Sequence, residues 1–324
     1  MTAAHEPERC FVCGARDWLF ERKRAMHQCS HCGVALYLKD YRANSLRALA
    51  AQTMRPGFVD METGPWREHG VQADAFTLRI LASAFGLGFE PGNLAQAAAL
   101  AHPHSKRSAK GWLVPFAPAP KRVALGVIVS RAALDEVLER IMEWAHRFAE
   151  VVLLVDGDEP IPLPPAVDGV PLTALLHPLK GDFGAQRNRV QSAATAPWVL
   201  QFDADETPSK TLLHTMDALT ARLDAQAVIS IGLPRRNLVG GVLSDLYPDL
   251  QYRLNRRELR YRDRVHERPD LKSAWRRSTI APSLTIDHHL SVERVRARSE
   301  VYGTMERGGE RRSDEAALLR PFRP

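Results

Sequence analysis

The chain has 324 residues, of which 45% are apolar and 25% charged, and a net charge of +6. That length suggests about two domains, because single cores stop growing near ~250–300 residues, and the apolar content excludes wholesale disorder. No apolar run approaches the roughly 18–20 residues of a bilayer-spanning helix, and the N-terminus lacks a secretory h-region. The expectation is therefore a cytoplasmic protein, or one peripheral at the inner face of the plasma membrane.

The charge is unevenly divided. From Arg253 onward there are 18 basic and 11 acidic residues, whereas the preceding 252 residues hold 26 and 27. The basic excess thus belongs to the last quarter. It can mark an anionic partner (nucleic acid, lipid phosphate or a phosphorylated substrate) or a solvated arginine-rich surface. Composition leaves both open.

All four cysteines fall early, at Cys10, Cys13, Cys29 and Cys32, in the pattern C-x2-C-x15-C-x2-C. Two intervening residues let both sulfurs of a tight turn face one point, and Gly14 and Gly33 supply backbone freedom after each pair. Two such turns complete a tetrahedral four-thiolate site for structural Zn2+. A pair of disulfides is the rival, disfavoured in a reducing compartment. Residues 1–40 are expected to form a zinc-ribbon module that needs its metal to fold. A closed site of this kind has no open position for catalysis.

Residues 41–120 are predicted to be a helical connector, with helices over Asp74 to Phe85 and Leu94 to Leu100. Pro115, Pro118 and Pro120 then mark a linker. No chemistry is assigned to this segment.

Residues 121–324 are predicted to be an α/β domain. Val123 to Val129 is a buried strand, and Ala132 to Phe148 carries one continuous apolar stripe of a helix. Strands follow at Val151 to Val155 and near Pro171 to Leu176, then a helix from Phe183 to Ala194. A further strand, Trp198 to Phe202, leads to a helix starting near Pro208. Such alternation implies a mainly parallel sheet flanked by helices, with ligands beyond the carboxyl ends of its strands.

Two acidic clusters lie at those ends: Asp156 with Asp158, and Asp203, Asp205 and Glu206. In extended backbone Asp203 and Asp205 project to one side, and hard oxygen ligands suit Mg2+ or Mn2+. The alternative is helix capping by Asp205, Glu206 or Thr207 ahead of Pro208.

Three stretches are similar to the GT-A fold family 2 glycosyltransferases, nearest the branch that adds sugars to lipopolysaccharide cores. They are Gly181 to Asn188; Trp198-Val-Leu-Gln-Phe-Asp-Ala-Asp-Glu206, which looks like a strand plus D-x-D motif; and Tyr252-Arg-Leu-Asn-Arg-Arg257 followed by Val265-His266-Glu267. The resemblance implies a GT-A, Rossmann-like domain and metal-dependent, inverting transfer from a nucleotide-diphosphate sugar to a cell-surface glycan or lipid-linked acceptor. Asp203 would lie near the donor ribose or metal and Asp205 would be the main ligand of Mn2+ or Mg2+. His288 or His289 would complete that site, the choice being open. Asp156 and Asp158 would lie on the nucleotide side. Arg187 could reach the diphosphate, orient Asp205 or stay exposed, and Asn188 is either a donor-site residue or buried in a side-chain bond to backbone. Glu267 is the leading general base, against a rival role as salt-bridge partner of Arg264 or Arg268. A processive Q-x-x-R-W motif is lacking, which favours single-sugar addition. The basic C-terminal region would then face an anionic acceptor or the membrane surface. The competing function is a nucleic-acid- or protein-binding zinc ribbon carrying an inactive transferase-like domain, with nucleic acid the disfavoured partner.

Overall fold

The computed structural model describes residues 9–22, 25–37, 42–102, 105–264, 267–297 and 310–323. Val265 and His266, part of the third motif, lie outside the described residues. Among the described residues no helix is long and apolar enough to cross a membrane.

The cysteine turns form as the spacing requires. The Gly14 and Gly33 amides donate to the Cys10 and Cys29 carbonyls at 2.8 and 3.0 Å. Both glycines are left-handed, at φ +80° and +83°, which side-chain-bearing residues adopt at a cost. Strands β1 (Trp18–Glu21), β2 (Met26–Cys29) and β3 (Ala35–Leu36) make an antiparallel meander. Next come α1 (Ala43–Thr53), β4 (Gly57–Asp60), α2 (Pro65–Glu68) and β5 (Val71–Gln72), and β5 pairs with β3. Helix α3 (Ala75–Ser83) is capped by Asp74, whose side chain accepts from the Thr77 amide. Beyond it lie β6 (Leu87–Pro91), α4 (Leu94–Ala99) and β7 (Lys110–Pro115), and β7 joins β4 and β6 in a second sheet.

This arrangement corrects the expected division at residue 40 and the purely helical connector. The cysteines, Leu36, Trp66, Leu78, Ile80 and Phe89 belong to one continuous core. The Thr77 hydroxyl also donates to the Cys32 carbonyl at 2.6 Å. The short cysteine meander has too little apolar surface of its own and completes its core with the following 75 or so residues.

After the proline linker, the second unit begins with β8 (Val123–Ser130), α5 (Leu134–Met142), β9 (Glu150–Asp156), β10 (Ala166–Val167) and β11 (Val170–Leu176). It continues with α6 (Phe183–Ala193), β12 (Trp198–Asp203), β13 (Glu206–Pro208), α7 (Lys210–Asp224), β14 (Ser230–Val239), β15 (Val242–Leu243) and β16 (Asp249–Arg256). The last strands are β17 (Tyr261–Arg262), β18 (Arg268–Pro269), β19 (Ser278–Ile280) and β20 (Ile286–Leu290). The main sheet runs β10-β11-β9-β8-β12-β16-β14-β20-β13. Strands β11, β9, β8 and β12 are parallel, as the alternation predicts, while β16 turns antiparallel against both β12 and β14. The fold is therefore mixed α/β. The helix expected to reach Phe148 stops at Met142, because Trp144 leaves helical geometry at φ −143°. Its indole then packs edge-on against Phe148 and Phe202, at ring separations of 5.9 and 6.0 Å.

The two units are joined at Asp245, whose side chain is 1% exposed. Its carboxylate accepts from Arg9 at 2.7 Å, Arg16 at 3.2 Å, Arg320 at 2.9 Å and the Arg323 amide at 3.3 Å. Burial alone would raise this carboxyl, but its donors hold it below the ordinary aspartate range. Asp245→Asn should cost about 3–5 kcal/mol, since it strands the buried Arg9 charge. The wild-type contribution is present above the ordinary pKa of ~3.9 and disappears as pH falls through the lower folded-state value. Urea unfolding of both proteins from neutral pH to pH 3 checks this, because the difference between them should shrink in acid.

Candidate active site

The carboxyl end of β12, with β14, β16 and β20, borders a cleft of about 810 Å3 whose lining includes Arg187, Asp203, Arg253, Glu267 and His288. Helix α6 presents the first of these. Asp182 caps it by accepting from the Ala185 amide at 2.9 Å. Gly184 lets the helix press against the chain ahead of Glu267, where a Cβ would stand 2.3 Å from the Asp263 carbonyl oxygen.

Arg187 is 1% exposed and bridges two carboxylates. Its Nε donates to Glu267 Oε1 and its Nη2 to Asp203 Oδ1, both at 2.6 Å. Arg253, on β16, donates to Asp203 Oδ2 at 3.0 Å and lies 3.7 Å from Glu267 Oε1. Two arginines and two carboxylates thus alternate in a closed ring. Burial would lower the Arg187 pKa, but Asp203 and Glu267 drive it above the ordinary value. The expected partners of Glu267, Arg264 or Arg268, are replaced by Arg187 and Arg253.

The D-x-D pair does not project to one side. Strand β12 ends at Asp203, residues 204–205 form a turn, and β13 begins at Glu206. Arg140 of α5 holds the Ala204 carbonyl in that turn. Asp203 therefore points to the arginines, while Asp205 Oδ2 lies 3.3 Å from His288 Nε2 and 2.8 Å from Arg294 Nη2. Helix α7 is capped by Ser209, so the capping alternative for Asp205, Glu206 and Thr207 fails. Glu206 is buried behind the turn, accepting from the Asp203 amide at 3.0 Å and from Arg235 at 3.2 Å. Burial pushes its carboxyl up to about 8.

His288 and His289 are separated by strand alternation. His288 faces inward at 4% exposure, whereas the exposed His289 meets Thr207 Oγ1 at 2.9 Å. Asn237 Nδ2 donates to Asp249 Oδ2 at 3.1 Å, so its Oδ1 accepts from His288 Nδ1 at 2.7 Å. In neutral imidazole that places the proton on Nδ1 and leaves the Nε2 lone pair facing Asp205. The Asp205 charge is met by the half-exposed Arg294 guanidinium at 2.8 Å, which a bound cation would displace. A divalent cation fits this donor set, with the second ring nitrogen anchored as ligating histidines usually are. Asp203 does not fit it, since both of its oxygens are held by arginines. Among the described residues, the only group of three or more ligand atoms already drawn together is that of the four cysteines.

Other expected site residues are occupied elsewhere. Asn188 donates to the Tyr261 carbonyl at 2.9 Å and accepts from its amide at 2.6 Å, a side-chain bond to backbone. Asp156 accepts from the Leu179 amide at 2.7 Å, and Asp158 is exposed beyond β9. Neither aspartate lines the cleft. Sequence reasoning missed Arg253, Arg235, Asn237 and Asp249. Arg253 sat inside a quoted motif without a role, and the other three become neighbours only through the β14–β16 register.

The cysteine sulfurs all lie within 4.8 Å of one another, with Cys10–Cys32 at 3.5 Å and Cys13–Cys29 at 3.6 Å. All four thiols are free and buried.

No family model and no curated protein matches this chain. Among solved structures it is similar to S. aureus TarS at 13% identity and TM-score 0.34, over 55% of this chain and 39% of that one. It is likewise similar to S. aureus TarS 1-349 in complex with UDP, at 14% identity and TM-score 0.34, over 55% and 64%. For S. aureus TarS 1-349 in complex with UDP-GlcNAc the values are 14% and 0.34, over 59% and 60%. The matched region spans less than two thirds of each of these chains.

The arginine ring is open to direct test. Arg187→Met keeps much of the volume and removes the charge, leaving Asp203 and Glu267 with Arg253 alone. A loss of about 3–5 kcal/mol in chemical denaturation is expected.

Proposed function

We propose that this chain is a glycosyltransferase that moves one sugar, with inversion, from a nucleotide-diphosphate donor to a glycan or lipid-linked acceptor. The observation that carries this is the Asp205–His288 pair, oriented by Asn237 and Asp249, with His288 on the cleft lining. Asp205 and His288 would hold the divalent ion. Bound there, the ion supplies Lewis-acid neutralisation of the departing diphosphate. An imidazole in the set favours Mn2+ over Mg2+, which prefers oxygen ligands.

The remaining work falls to the chain's own groups. Glu267, held through Oε1 by Arg187, is proposed to take the acceptor hydroxyl proton as general base. Arg187 acts through Glu267 and Asp203 by fixing their orientation. The exposed Arg268 and Lys272 on the cleft lining suit an anionic acceptor or a membrane headgroup.

The four cysteines are proposed to hold one structural Zn2+. Sulfurs at 3.5–3.6 Å are far beyond the ~2.05 Å of a disulfide and near the spacing that ~2.3 Å Zn–S bonds impose.

Three outcomes follow. A thermal-shift screen of nucleoside diphosphates with Mn2+ should single out one base, through preferential binding to the folded chain. If no nucleotide sugar loses its sugar in the presence of Mn2+, the transferase reading fails. Asn237→Ala should weaken Mn2+ about 10–100-fold in a metal titration of activity, because it releases the histidine that Asn237 orients. Metal analysis should find one zinc per chain, and Cys32→Ser should lose it together with cooperative unfolding of the N-terminal unit.

A further inference from the structure

The two aspartates of the D-x-D are met by arginines of opposite character. Asp203 is held by Arg187 and Arg253, whose side chains are 1% and 8% exposed. A guanidinium so enclosed cannot give up its carboxylate without leaving its own charge buried and unmet. Asp205 is 11% exposed, but its partner Arg294 is 48% exposed. Water can rehydrate that guanidinium when the contact breaks, so releasing it costs little, as for other exposed pairs.

The backbone on both sides of the pair is anchored. The Asp205 carbonyl accepts from the His289 amide at 3.0 Å, which ties the D-x-D turn to β20. Residues 292–297 form a short helical turn directly after that strand. The Ser291 hydroxyl accepts from the Arg294 amide, and the Ser291 carbonyl from the Val295 amide, both at 3.1 Å. Val295 is buried on the cleft lining. Arg294 is thus rooted beside the cleft, and the part of it that can exchange partners is its long side chain.

We propose that Arg294 is an exchangeable counter-cation of the Asp205–His288 site. It meets the Asp205 charge while no divalent ion is bound, yields that oxygen when one binds, and then pairs with an oxyanion of the donor diphosphate. The inference rests on the metal-site reading of Asp205 and His288 given above. Asp205 Oδ2 lies 2.8 Å from Arg294 Nη2 and 3.3 Å from His288 Nε2, so one oxygen serves both groups. Arg294 has to leave that oxygen to an ion held between Asp205 and His288, because two positive charges at one carboxylate oxygen repel. The released side chain stays tethered beside the site, where its planar fork suits a diphosphate better than a carboxylate already neutralised. Ion and diphosphate therefore bind with positive coupling, each more tightly in the presence of the other.

The test follows Mn2+ binding to the full chain by loss of the free-ion electron paramagnetic resonance signal, without nucleotide and then with UDP, GDP, dTDP or ADP. Without nucleotide, Arg294→Met should bind Mn2+ about 3–10-fold more tightly than the wild type, since a half-exposed competitor is gone. In saturating Mn2+ the same variant should bind its best nucleoside diphosphate about 3–10-fold more weakly. Arg294→Lys should return both affinities toward the wild type. Opposite signs for ion and diphosphate separate exchange from a structural role, because a variant that merely loosened the site would bind both more weakly. Mn2+ affinity that is unchanged or weaker in Arg294→Met overturns the proposal, as does a diphosphate affinity indifferent to the substitution. If both proteins bind Mn2+ equally, the metal-site reading stands and only the exchange falls. If neither binds it, the metal-site reading falls and the exchange with it.

Discussion

One guanidinium between two carboxylates governs the second unit. Arg187 is too buried to be solvated, so its charge must be met by protein groups, and those groups are Asp203 at the tip of β12 and Glu267. The contact couples a helix, a central strand and a segment 80 residues further along the chain. Arg253 supplies the second positive charge from β16, placed there because β16 runs antiparallel beside β12. The ring has no net charge, and it uses both oxygens of Asp203. Asp205 is thereby left as the D-x-D carboxylate that faces a histidine.

Much of this architecture was legible because buried parallel strands read as unbroken apolar runs, as in Val123 to Val129 and Trp198 to Phe202. The cysteine turns were legible for a local reason, since two-residue spacing and a following glycine specify the knuckle by themselves. The strands β6 and β7 were not. Leu87–Pro91 and Lys110–Pro115 each contain glycine and end on proline, which mimics loop composition. The divergence of Asp203 and Asp205 was equally hidden. It depends on Arg140 reaching the Ala204 carbonyl and on β13 pairing with β20, contacts made far along the chain. In strand β20 alternation lets only one of His288 and His289 face inward, and the sequence left that choice open. Its phase came from the pairing of β20 with β14, where His288 sits opposite Asn237.

The charge asymmetry takes on a different meaning once the chain is folded. Several arginines of the basic quarter meet carboxylates from the near-neutral part: Arg253 meets Asp203, and Arg256 meets Asp224 at 3.0 Å while lying over the Trp198 ring. Segment-by-segment charge counts separate partners that folding brings together. The positive charge available to a ligand is what remains exposed on the cleft lining, at Arg262, Arg268 and Lys272.

The cysteine-rich unit is tied to this domain by direct contacts. Gly14, in the first knuckle, lies so close to Tyr247 that an added Cβ would stand 3.2 Å from the ring. Two residues on, Asp249 begins β16 and accepts from Asn237, which in turn accepts a hydrogen bond from His288 Nδ1. Arg9 clamps the same loop through Asp245 and lies over the Phe322 ring at 4.4 Å. The knuckle therefore backs the strand whose aspartate orients the Asp205–His288 pair, through packing and ion pairing and not through any metal chemistry of its own. A four-cysteine cluster that does not itself line the cleft can matter to the site in this way, because a rigid turn at Cys10–Gly14 limits how far the Tyr247–Asp249 segment can move.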